Sequence, residues 1–138
     1  MPDVEFALLA NAVQVSSGDR LINMLGGGWD TGTLPEEAYP AGVVLHVVFR
    51  VTFDQEEAGK TYSGAITVQS EDEQRLTAIT LSLDVGDTED LPPGWKLNVP
   101  VASPVPVQFP SPGLYSVSIT IDNQILKTIP LRMKATGA

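Results

Sequence analysis

A chain of 138 residues with 43% hydrophobic and 18% charged side chains, and a mean hydropathy of +0.07, can bury a core of its own and is too apolar to stay disordered. Eight Lys and Arg against 17 Asp and Glu leave a net charge of −9, which repels phosphate backbones and excludes nucleic acids and anionic membranes as expected partners. Cysteine is absent and histidine occurs once, so disulfides, thiolate zinc sites and Cys-His catalysis are excluded together.

The amino terminus carries Asp3 and Glu5 ahead of a short apolar run. It lacks the basic leader of a secretory signal. The longest apolar run, Gly42 to Phe49, is interrupted by His46 and falls far short of the roughly 20 residues that cross a bilayer. The expectation is a cytoplasmic protein, or one assembled from the cytoplasm into a virion.

From Val4 to Val15 the apolar residues start on even positions (Val4, Phe6, Leu8, Ala10) and finish on odd ones (Val13, Val15). That change of parity predicts a first strand with a β-bulge, one that bends or crosses between sheets. Ser16 to Asp19 form a turn cluster, and Leu21 to Leu25 resume the apolar pattern as a second strand paired with the first. Gly26, Gly27 and Gly28 break it ahead of Trp29, and Gly32 to Pro40 reads as a connection with one helical turn at Glu36 to Tyr39.

Val43 to Phe53 is the longest strand signal, every odd position being apolar, which predicts a central strand with its odd face in the core. Asp54 to Lys60 is an acidic turn, Tyr62 to Ser70 a strand, Glu71 to Arg75 a turn, and Leu76 to Val85 a strand. Gly86 to Gly94 is acidic and prolyl, and Trp95 to Phe109 contains Pro100, Pro104 and Pro106. Proline cannot donate to a ladder, so this stretch must be an edge strand or an irregular crossover. The clearest signal comes last. Tyr115, Val117, Ile119 and Ile121 alternate with Ser116, Ser118 and Thr120, and after Asp122 and Asn123 the chain returns through Ile125, Ile129, Leu131 and Met133. This is a hairpin with one dry face.

About eight strands with frequent turn signals and no helical spacer predict an all-β, single-domain antiparallel β-sandwich over residues 1–138. The pattern Pro112-Gly113-x-Tyr115-x-Val117-x-Ile119 resembles the penultimate strand of immunoglobulin-like and fibronectin type III-like domains. That resemblance implies that Tyr115 caps one end of the sandwich. More of the chain, FALLANAV through LINMLGGGWD to PGLYSVSITIDN, is similar to an uncharacterised bacterial family of small β-sandwich proteins, which implies no activity.

Catalysis has little to work with. His46 sits between Val44 and Val48 on one face of a strand, where an ordinary strand residue is expected. The glycine run lacks the Gly-Lys-Ser/Thr of a phosphate loop and reads as a bend that re-aims Trp29. Acids gather at Asp84, Asp87, Glu89 and Asp90, at Asp54, Glu56 and Glu57, and at Glu71 to Glu73. The first cluster is chemically able to hold calcium but matches no EF-hand register, and these acids read as solvated turns. Neither metal nor cofactor is expected.

Three loop aromatics remain as candidate binding residues: Trp29, Tyr39 and Trp95. Each is either a contact anchor or a plug for the open end of the core, and Trp95, with nothing periodic around it, is the better anchor. The expected function is a non-catalytic structural or protein-interaction module, in its sharpest form a phage virion accessory such as a capsid decoration or tail-associated protein. Its partner would be another protein or a second copy, with Leu91 to Pro112 as the contact surface because its backbone groups lack ladder partners. The alternative is a small-ligand or glycan-binding module that uses the three aromatics with calcium as an aid.

Overall fold

The computed structural model describes residues 2–88 and 90–136. The longest strand of the first half organises it. β5 (Ala41–Phe53) lies between β1 (Asp3–Ala10) and β8 (Leu97–Phe109), antiparallel to both. Its odd residues Leu45, Val47, Phe49, Val51 and Phe53 are fully buried, as the alternation requires of a central strand. A second sheet has the order β4 (Thr31–Pro35), β10 (Gln124–Thr136), β9 (Gly113–Ile121), β6 (Thr61–Ser70), β7 (Arg75–Asp84). Val117, Ile119 and Ile121 of β9 and Ile66 and Val68 of β6 turn inward there. The dry faces of both sheets join in one hydrophobic cluster.

Among the described residues there are ten strands where the sequence predicts about eight. Two local events account for the difference. The expected bulge is present, between Val4 and Phe6, but the segment is not one strand: the chain turns at Asn11, whose N–H donates to Leu25 O, and β2 (Ala12–Val15) pairs with β3 (Ile22–Leu25) as a separate hairpin. Val13 lies opposite Met24 and Val15 opposite Ile22, all half-buried. The hairpin packs on β5 and β8, and Val48, on the face of β5 away from the main core, is fully buried. The second event is β4, which the sequence reads as connection. It pairs with β10, and that pairing is parallel, so the molecule is not antiparallel throughout.

The helical turn expected over Glu36 to Tyr39 is a 3-10 turn at Glu36–Ala38. β8 is an edge strand, as its prolines predict, but it is fully laddered to β5 from Leu97 to Phe109. Pro100, Pro104 and Pro106 share one parity in an unbroken ladder, so their nitrogens lie on the side away from β5. One side is paired, and on the other, prolines have removed donors.

Candidate functional site

β5 and β8 run antiparallel along their whole length, Ala41 opposite Phe109 and Phe53 opposite Leu97. Tyr39 precedes the start of β5 and Trp95 precedes the start of β8. The two aromatics therefore sit at opposite ends of a 13-residue strand pair, about 40 Å apart at 3.3–3.4 Å per residue. Trp29 belongs to the Tyr39 end. The three sequence candidates do not share a site.

At the first end the aromatics are plugs. Gly26 and Gly28 take φ of +60° and +92°, conformations that glycine adopts without steric cost. The Gly28 N–H donates to Leu9 O at 2.7 Å. This bend turns Trp29 back over the core, where its ring lies against Gly32 and the indole N–H is buried without an acceptor among the described residues. The Tyr39 hydroxyl donates to Lys134 O at 2.8 Å, and burial, with Tyr115 nearby, raises its pKa. Tyr115 donates to Ser111 O at 2.5 Å and stands edge-on to Phe109, ring centres 4.8 Å apart.

At the second end the arrangement is inverted. Pro92-Pro93-Gly94-Trp95 is a tight turn in which Trp95 N–H donates to Pro92 O at 3.3 Å. Proline at the second position and a glycine at φ +85° in the third are what a type II turn demands. Gln55 on the 3-10 turn Gln55–Glu57 donates from Nε2 to Pro92 O at 2.8 Å and Trp95 O at 2.9 Å, clamping the turn at both ends. Lys96 pairs with Asp54, and its hydrogen bond holds the Asp54 carboxyl well below the ordinary range, at about 2. Trp95 nevertheless stays 63% exposed.

The clamp is anchored to the core through Glu57, a carboxylate only 8% exposed. Its Oε1 accepts the Asp54 N–H at 2.9 Å, and the Asp54 side chain caps the same turn in return. Its Oε2 accepts the Tyr62 hydroxyl at 2.5 Å, and the Tyr62 ring lies 5.0 Å from fully buried Phe53. Burial alone would raise the pKa of Glu57, but the hydrogen bonds from Tyr62 and Asp54 carry the balance, and it is lowered. The same bond raises Tyr62 to about 12. Asp54-x-x-Glu57 is a capping-box pattern visible in the sequence, where it passes as part of an acidic turn. Gln55 carried no comparable mark, since its partners lie 37 and 40 residues away.

His46 is half-buried opposite Ala10 and Pro104 in the ladders. Among the described residues no three acidic or histidine side chains converge as a metal site. Glu89 of the first acidic cluster lies outside the described residues. No described helix is long and apolar enough to cross a membrane.

Comparison with curated proteins finds no match. A family model does match, over residues 5–134, a span that takes in both ends of the molecule and every strand from β2 to β9 in full. The chain belongs to DUF6941, a family of unknown function.

Proposed function

We propose that the chain is a non-catalytic β-sandwich of immunoglobulin-like topology that works through protein contacts, with Trp95 as its anchor. The topology rests on two features. The orders β1-β5-β8 and β10-β9-β6-β7 follow the A-B-E and G-F-C-C′ sheets of that architecture, and the Tyr115 hydroxyl returns to the backbone four residues upstream, as in a tyrosine corner.

The observation that carries the function is a large apolar side chain left in solvent on a turn clamped by Gln55. A held turn loses little conformational freedom on binding, and indoles are over-represented among residues that dominate interfaces. Glu56 and Asp90 are exposed on neighbouring segments. The fitting partner therefore presents an apolar pocket with a basic rim. A virion accessory remains the particular form of this reading, and structural phage genes beside this one would support it. For the glycan-binding alternative, Trp29 and Tyr39 would act at one end of the molecule and Trp95 at the other.

The test is capture by the immobilised chain from its producing cells, identification of the retained protein, and titration of that protein against the chain and Trp95→Ala. An anchor predicts at least about 30-fold weaker binding for the variant at an unchanged melting temperature. Equal binding by both, or a melting temperature raised by calcium or sugar and dependent on Trp95, overturns the proposal.

A further inference from the structure

The molecule's sheet edges are treated unequally. β8 is blunted by Pro100, Pro104 and Pro106 on its free side, β4 is five residues long and ends in Pro35, and β1 carries a bulge between Val4 and Phe6 and packs against β10. These are the devices by which proteins prevent edge-to-edge pairing. β7 has a bulge at Leu76 near its start and touches β8, but from Thr77 to Asp84 it is regular and uninterrupted. Its ten residues, Arg75–Asp84, contain no proline, glycine or lysine, and its only strand partner is β6. Ile79 and Leu81, which face the core side, stay half-buried, although Ile66, the ladder partner of Ile79, is fully buried. The space beside Leu81–Asp84 is open, a cleft of about 460 Å³ separating them from Val99–Ala102 of β8 and Val13–Val15 of β2.

We infer that the free edge of β7 is a self-association surface, on which a second copy of this chain pairs antiparallel through the same strand. The occupant is chosen by charge. In a chain of net charge −9 most faces repel a second copy, but the eight residues between Arg75 and Asp84 are uncharged and the two ends carry opposite signs. The bulge at Leu76 decides the register. Gln69 pairs with Arg75 and Val68 with Thr77, so Arg75 is moved onto the outer face, the face of Ala78, Thr80, Ser82 and Asp84.

A two-fold axis through Thr80 then sets Arg75 of each copy opposite Asp84 of the other, with Ala78 opposite Ser82 on the same face. On the core side Ile79 meets Leu81. Thr77 falls opposite Leu83, the remaining pairs match in charge or polarity, and the two five-stranded sheets become one continuous sheet. This surface is separate from the Trp95 turn.

The experiment is sedimentation equilibrium of the full chain and its variants up to about 1 mM, where even a weak dimer registers. Wild type is expected to approach twice its 14.7 kDa mass. Arg75→Glu and Asp84→Arg are each expected to weaken the dimer about tenfold, since each sets like charges opposite one another twice in the symmetric pair, and the double variant is expected to recover. Overall charge alone predicts opposite signs for the two single variants, because the first adds to the net negative charge and the second reduces it. Trp95→Ala is expected to leave the dimer unchanged. A wild type that stays monomeric, single variants that dimerise like wild type, a double variant that fails to recover, or a dimer lost with Trp95→Ala would overturn the inference.

Discussion

The two ends of the molecule hold aromatics of the same kind and use them in opposite ways. At one, Trp29 and Tyr39 close over the core, and Tyr115 ties the strand start to Ser111 O. At the other, Trp95 is held out on a turn whose supports are polar: Gln55, the Lys96 pair with Asp54, and the carboxylate of Glu57. The difference lies in what stands beneath each ring. Gly32 and Met133 leave Trp29 a shallow apolar seat, whereas the groups that hold the Trp95 turn are hydrogen-bonding ones that fix its backbone. A closing aromatic and a presented one are thus distinguished by the floor, not by the loop that carries them.

Stability should divide along the same line. Trp29→Ala removes a ring packed on the core and should cost about 3 kcal/mol, while Trp95→Ala should stay within about 0.5 kcal/mol. Chemical denaturation of both variants measures the contrast directly, and equal losses would break it. Tyr115→Phe keeps the ring against Phe109 and removes only the bond to Ser111 O. A loss of about 1 kcal/mol is expected in the same titration.

The smallest effect is local and comes with acid. Asp54 falls from its ordinary 3.8 to about 2 in the folded chain, and Glu57 is shifted the same way. A carboxyl whose folded pKa is depressed favours the folded state only while charged. The contribution of Asp54 is therefore complete above about pH 4 and fades as pH falls towards 2. The Trp95 turn should loosen in that window ahead of the Tyr115 end, which has no acid in its supports. Amide exchange at Gly94 to Lys96, compared with Tyr115 to Val117, reads the order, and simultaneous loosening would contradict it.

Where strands were legible, a period of two over several residues did the work. β9 and β5 bury the alternate residues their patterns nominate, and the prolines at 100, 104 and 106 marked β8 as an edge because ring nitrogens tolerate only the unpaired side. β4 was hidden, since Thr31-Gly32-Thr33-Leu34-Pro35 has no alternation and its partner β10 lies a hundred residues on. Asn11 was hidden for another reason: a bulge and a change of sheet shift parity alike. At the Trp95 site, Pro93-Gly94 carries the chemistry of a type II turn but was read only as an irregular prolyl stretch, and the Gln55 clamp is tertiary and has no local signature.

Trp95 stands in solvent on a fixed turn, and the proposed function requires that a partner cover it. With Trp29→Phe leaving a single indole, acrylamide quenching of the isolated chain should approach that of free tryptophan and drop sharply once the captured protein is added. An indole already shielded in the isolated chain, or one whose quenching does not change when that protein binds, would contradict the account.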